Sequence, residues 1–361
     1  MGAVTVLVLH PPLAAGAGPL VTALDVARRA LAARHAAGFR AAGAAVAIVE
    51  EPAVDEPFGA RLRRLAAAAA TPGLVVLGSG ALALARPADY RAFVAAAAAD
   101  VPGALANNRY SADAVAIAGA AVLRDLPDLP ADNALPRWLA EVAGMPVVDL
   151  RGRARLGLDL DSPADVVLAG GALPADVATS PLPARLAAVR SVLADRTAEL
   201  TVAGRTSAAT LAALERRAAC RVRALVEERG LRAASPIAQA PSAARRVPRP
   251  PASVLGILLD RDGPGALGGI LARLGDAAVV DTRVLLAHRL GAGEAAWPAP
   301  EDRFAADLLL PGRVDDPWLR ALAASAAAAP IPVLLGGHTF AGPGLRLLAE
   351  RAARRNRGTR P

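Results

Sequence analysis

The sequence predicts an α/β protein, a mostly parallel sheet with helices on both faces, continued by a helical connector and a second α/β segment. Three observations carry this. Short runs that are almost wholly apolar, VTVLVL, AAVAIVE and LVVLG, recur between helix-length segments, as strands buried on both faces do. The chain has 361 residues, 54% of them hydrophobic, enough for one large or two ordinary domains. Only 3% are aromatic, so the core is built from Ala, Leu and Val, whose small side chains let layers approach closely.

The elements follow in order. VTVLVL is the first strand, and a helix runs from about Leu20 to Ala42. AAVAIVE is the second strand, a helix spans Gly59 to Ala70, and LVVLG is the third strand. PADYRAFVAAAA reads as a helix, DAVAIAG as a strand and NALPRWLAEVAG as a helix. PVVDL and LGLDL are strand candidates, and PADVVLAG closes the region as a helix. These elements place an α/β domain at residues 1–172. A block from about Pro183 to Arg232 carries Glu and Arg at helical spacing and makes residues 173–234 a helical connector. SPIAQAPSAARRVPRPPAS, residues 235–253, is rich in Pro, Ala and Arg and reads as a linker. In residues 254–361 the alternation resumes: a buried strand SVLGILLD ending in Asp260 and Asp262, a helix ALGGILARLG, a strand AAVVDTRVLLAH, a helix DPWLRALAASAAAA, a strand PIPVLLGG and a last helix GLRLLAERAARR.

Composition excludes several chemistries. All 41 residues counted as Lys+Arg are arginine, so the phosphate-loop lysine and every lysine Schiff base are absent. The net charge of +8 comes without aromatic platforms between the basic residues, so nucleic acid is not the expected partner. The single cysteine, Cys220, lies in a segment that reads as helical and rules out a disulfide framework. Together with an amino terminus unlike a secretory signal, it leads us to expect a cytoplasmic protein. The uncharged run from Leu65 to Ala85 is broken by Pro72-Gly73 and Gly78-Ser79-Gly80, so no membrane span is expected.

The most specific motif is RLGLDLDSPADVVLAG. Asp159 and Asp161, two apart on an extended segment, point the same way. Ser162 and Pro163 fit the cap and first position of a helix, with Asp165 in its first turn. With FGARLRRLAAAAATPGLVVLGSGALALARPADYRAFV, NNRYSADAVAIAG and DNALPRWLAEVAG upstream, this order resembles the nucleotidyltransferases that make guanylylated cofactors, of the molybdenum-cofactor guanylyltransferase and 2-phospho-lactate guanylyltransferase type, over about residues 1–170. The resemblance implies a GT-A-like, Rossmann-like fold. It also implies transfer of a nucleotidyl group to a small phosphorylated acceptor, with Mg²⁺ on Asp159 and Asp161. Such a metal bridges phosphate oxygens and prefers carboxylate ligands. Asn107, Asn108 and Arg109 take the place of the family's substrate loop; the same residues also fit an ordinary polar turn.

The chain departs from that family at two places. HPPLAAGAGPL follows the first strand with no basic residue before Arg28, and Gly78-Ser79-Gly80 stands where a metal-holding acid belongs. The carboxy-terminal segment carries its own polar cluster: Asp260, Asp281-Thr282-Arg283 and Gly336-Gly337-His338-Thr339. At the carboxyl ends of strands these residues line a ligand crevice, with Arg283 a bidentate anion ligand and Asp260 or His338 a metal ligand or base. Two functions fit these residues: an active nucleotidyltransferase, and a non-catalytic relative that binds a nucleotide or a protein through the carboxy-terminal segment.

Overall fold

A strand whose two faces are both apolar needs a layer on each side, and the chain supplies both. The computed structural model describes residues 2–51, 56–129, 132–177, 179–228 and 251–358. Its contacts divide the chain into two units, residues 1–16 with 24–160, and residues 17–23 with 161–361.

The first unit holds a six-stranded sheet in the order β2-β1-β3-β5-β4-β6. The strands are β1 (Val4–Leu9), β2 (Val46–Glu50), β3 (Gly73–Gly78), β4 (Gly103–Ala106), β5 (Ala114–Ala118) and β6 (Val147–Asp149). β5 runs antiparallel to β3 and β4, and the other pairs are parallel. Side-chain alternation sorts each strand between two cores. Val4, Val6, Val8, Val75 and Leu77 pack with Phe39 of α1 (Pro19–Ala41) and Phe93 of α3 (Pro87–Ala97). Leu7, Leu74, Val76 and Ile117 pack with Leu62 of α2 (Phe58–Ala69) and with Leu135 and Trp138 of α4 (Leu135–Glu141). Phe39 is fully buried and meets Tyr90 edge-on at 4.9 Å between ring centroids. The expected mostly parallel sheet with helices on both faces is what forms.

LGLDL does not become a strand. Residues 154–157 form a 3₁₀ turn, and beyond it the Leu158 carbonyl accepts from the Ala83 N–H (3.1 Å) while the Leu160 N–H donates to the Gly80 carbonyl (3.0 Å). The alternation in that sequence is real, because Leu158 and Leu160 are buried. It serves two isolated backbone bonds rather than a ladder. Ser162 then caps α5 (Pro163–Ala169), accepting from the Asp165 N–H, with Pro163 in the first turn. That part of the motif folds as the sequence indicates.

The second unit carries a parallel sheet in the order β10-β9-β7-β8, made of β7 (Glu199–Gly204), β8 (Arg221–Val226), β9 (Ala277–Asp281) and β10 (Val333–Gly336). The expectation of a purely helical block at 183–232 is therefore corrected. α6 (Leu182–Ala194) and α7 (Ala208–Arg217) are helices, but β7 and β8 lie within the same stretch. Glu215, Arg216 and Arg217 lie on α7, but Arg221 and Arg223 are cross-strand partners of Glu199, Arg223 donating to it at 3.1 Å, an arrangement suited to an edge strand. Cys220 precedes β8 rather than lying inside a helix.

SVLGILLD is also corrected, from strand to helix α8 (Val254–Asp262). Ser253 caps it, and Leu255 and Leu259, four apart, are buried while Val254 and Ile257 are exposed, a helical rather than a strand period. The proposed linker falls at 235–250 outside the described residues. No described helix is long and apolar enough to cross a membrane.

Candidate functional site

In an open α/β sheet a ligand crevice forms where strand order reverses, because loops leaving neighbouring strands part in opposite directions. In the first sheet that point is the carboxyl ends of β1 and β3. A cavity of about 300 Å³ opens there, lined among others by Arg28, Arg61, Ser79, Gly80, Asp113 and Asp159.

Ser79 of its lining begins a hydrogen-bonded chain that sequence reasoning missed. His10, the residue after β1, holds Ser79 Oγ with Nδ1 (2.9 Å) and Asp25 Oδ1 with Nε2 (2.9 Å). His10 and Ser79 are each only 1% exposed. Asp25 Oδ2 accepts from Arg29 Nε at 2.8 Å. Burial alone raises the Asp25 carboxyl pKa, but the Arg29 and His10 hydrogen bonds outweigh it and hold the group below its ordinary value. Ser79 is fixed by its own N–H, which donates to the Leu9 carbonyl at 2.9 Å. The available signal was positional: a histidine and a serine each ending a buried strand, 69 residues apart in sequence.

The second sheet reverses its order between β7 and β9, and a pocket of about 370 Å³ lies at their carboxyl ends. Arg205, Arg283, Arg303, His338, Asp161 and Asp165 all line it. Arg205 grips Asp281 with Nε (2.6 Å) and Nη2 (3.1 Å). Arg283 grips Asp307 with both terminal nitrogens at 2.7 and 2.6 Å. Gly204 makes the first pair fit: it sits at φ +125°, and a Cβ there would lie 2.2 Å from that of Asp281. His338 donates from Nδ1 to the Arg205 carbonyl at 3.2 Å, which leaves Nε2 as the acceptor of the neutral ring. Burial, with Arg205 nearby, pulls the His338 pKa down.

Asp165 is 2% exposed. Its Oδ2 accepts from the Asp161 N–H (3.1 Å) and the Ser162 hydroxyl (2.8 Å), while Oδ1 is buried with no hydrogen-bond partner. Burial first, and the Asp161 charge second, push its pKa up to about 8 against the opposing Ser162 hydrogen bond. At neutral pH the pocket thus holds a carboxylic acid and a neutral imidazole, two groups shifted in opposite directions, as acid and base partners in functional clefts are.

The sequence-predicted residues distribute unevenly. Arg283 and His338 meet in the second-unit pocket, although the bidentate partner of Arg283 is Asp307. Asp260 does not join them; it ends α8 and accepts from His288 Nε2 at 2.9 Å. Asp159 lines the first-unit cavity and Asp161 the second-unit pocket. Among the described residues no group of three or more His, Cys, Asp or Glu is arranged to hold a metal ion. Asn107 closes the β4–β5 hairpin with its whole amide: Nδ2 donates to Asp113 (3.0 Å) and to the Leu156 carbonyl (3.1 Å), and Oδ1 accepts from the N–H groups of Asp113 and Ala114. Asn108 accepts from the Tyr110 N–H, and Arg109 stands 3.9 Å from Glu141. These three residues build the turn that follows β4.

No protein-family model matches the chain, and no curated protein is significantly similar to it.

Proposed function

We propose that the protein binds a nucleotide-class ligand in the second-unit pocket, as a relative of the nucleotidyltransferases that does not rely on the Asp159/Asp161 metal pair. The observation that carries this is the convergence of Arg205, Arg283, Arg303 and His338 at the strand-order reversal of a parallel sheet. Three guanidiniums at one cavity offer planar donors to phosphate or base oxygens. Their charges are balanced by Asp281, Asp307 and Glu294, so the pocket accepts an anion without being a bare cationic patch. Asp161 and the Nε2 of His338 supply acceptors suited to sugar hydroxyls or ring amines. The volume, about 370 Å³, falls within the range of small-ligand sites.

The experiment is a thermal-shift and calorimetric panel of GTP, CTP, ATP and UTP, each with and without Mg²⁺. It uses the wild type and the Arg303→Ala, His338→Ala and Asp159→Ala variants. A ligand at 100 times its Kd stabilises the native state by about 2.7 kcal/mol. One nucleotide is expected to raise Tm in the wild type and in Asp159→Ala, but not in the two pocket variants. A Mg²⁺-dependent shift abolished by Asp159→Ala would move the site to the first unit and restore the metal-assisted transferase. No shift with any nucleotide refutes both.

A further inference from the structure

We propose that the first unit carries a serine-nucleophile site for small anionic esters, with Ser79 as nucleophile, His10 as its general base and Asp25 as the positioning residue. The proton positions follow from chemistry. An ionised Asp25 accepts only, so the His10 nitrogen facing it, Nε2, carries hydrogen. In the neutral ring Nδ1 is then the acceptor, and the bond of 2.9 Å to Ser79 is donated by the serine hydroxyl. A hydroxyl donating to a histidine that is itself oriented by a carboxylate is the arrangement that activates a serine. The nitrogens are exchanged relative to the best-known serine triads, which matters less than the order hydroxyl, imidazole, carboxylate.

The surroundings suit this role. Ser79 sits where a buried strand turns sharply, with the Ala81 N–H donating to the Gly78 carbonyl, the strand-to-turn placement that presents a nucleophile. Gly80 leaves the wall beside it bare: a Cβ there would lie 2.6 Å from Asp159 Oδ1 and 3.2 Å from Arg28 Nε. The Arg28 guanidinium is therefore adjacent to the turn. Arg61, on the same cavity wall and held there by its ion pair with Glu50, adds a second guanidinium that can donate to a carboxylate or phosphate on the substrate. Leu9, Pro11 and Phe58 supply the apolar lining for a short acyl chain.

The reaction balances in two steps. Ser79 Oγ bonds to the ester carbonyl carbon and passes its proton to His10 Nδ1. The carbon–oxygen bond to the alcohol then breaks, and the leaving oxygen takes that proton from His10. In the second step water attacks the acyl-Ser79 carbonyl, giving its proton to His10. The ester bond to Ser79 breaks, the proton returns to Oγ, and a carboxylic acid is released. Beyond the ester and one water, no oxidant or further reactant is required.

The test uses the full-length chain with phenylmethylsulfonyl fluoride and with 4-nitrophenyl acetate, read by peptide mass spectrometry and by nitrophenolate release. One sulfonyl group per chain, mapped to Ser79, is expected, with a stoichiometric nitrophenolate burst. Both are expected to vanish in Ser79→Ala and His10→Gln. Asp25→Asn is expected to slow the limiting rate of sulfonylation by about 10³–10⁴-fold while the reagent concentration giving half that rate stays unchanged, a split that simple loosening of the fold does not produce. The wild-type adduct decides without any variant: no modification at Ser79, or modification only at another residue, overturns the proposal.

Discussion

Replacing Asp165 by Asn changes the pH dependence of stability in a direction the structure fixes. In the unfolded chain this carboxyl titrates near its ordinary value of 3.8; in the folded chain its pKa is about 8. Between those values the native state holds a proton that the unfolded state has lost. The contribution of the group is thus fully present below pH ~3.8 and is lost as pH rises towards the folded pKa. Each unit costs ~1.4 kcal/mol, so about four units amount to a loss on the order of 6 kcal/mol by pH 8, and on the order of 4 kcal/mol at pH 7. The interaction of a charged first-turn carboxylate with its helix, worth about 0.3–1 kcal/mol, is too small to reverse this. Asparagine keeps an oxygen to accept from the Asp161 N–H and the Ser162 hydroxyl, but cannot ionise. Urea unfolding of both proteins from pH 4 to pH 9 is the assay. The variant is expected to match the wild type near pH 4 and to exceed it increasingly up to pH 8, after which the gap stays constant. Stability curves that run parallel across this range would refute the argument, since they would mean that Asp165 ionises alike in both states.

Two packing predictions follow. Phe39→Ala empties a site that is fully buried between α1, β1 and Tyr90, and about 3–5 kcal/mol of stability should be lost in urea titrations; a loss below 1 kcal/mol would show that the core collapses around the gap. Gly204→Ala forces a Cβ onto Asp281 at a positive φ, where strain alone costs about 1–3 kcal/mol. Its Tm should fall, and nucleotide affinity in the second-unit pocket should fall with it, because the Arg205–Asp281 pair is displaced; an unchanged Tm contradicts the strain, and an unchanged affinity contradicts the role of the pair.

Where residues report only on themselves and their near neighbours, the sequence was a reliable guide. The runs VTVLVL and LVVLG are apolar on both faces and can only be central strands. The capping pattern of Ser162, Pro163 and Asp165 depends on bonds spanning three residues. Strand and helix were confused where an apolar stretch is short and its period is masked. SVLGILLD contains five hydrophobic residues in eight, and only the burial of Leu255 and Leu259 against the exposure of Ile257 reveals the helical face. CRVRALV hides a strand because its arginines pair across the ladder with Glu199 rather than along a helix.

The site was less legible for a different reason: its groups are joined by topology, not by spacing. Asp159 and Asp161 look like a pair because two residues on an extended segment share a face, but the extended ladder that this argument needs never forms. Conversely, nothing in the spacing of His10, Asp25 and Ser79 links them. They meet because β1 and β3 are neighbours in a parallel sheet, in register from Val4↔Gly73 to Leu9↔Gly78, so that the residues following Leu9 and Gly78 emerge side by side. Asp25 follows from the return of α1 across the same sheet. Ser79, at the position where the resemblance to the nucleotidyltransferases implies an acid, is the hydroxyl of a hydroxyl–imidazole–carboxylate chain. A carboxylate at position 79 would put a second negative charge against a histidine already held by Asp25 and would leave no hydroxyl facing the ring. A serine there supplies the hydroxyl that faces His10 Nδ1, so at this one position a metal-holding acid and a hydroxyl nucleophile exclude each other.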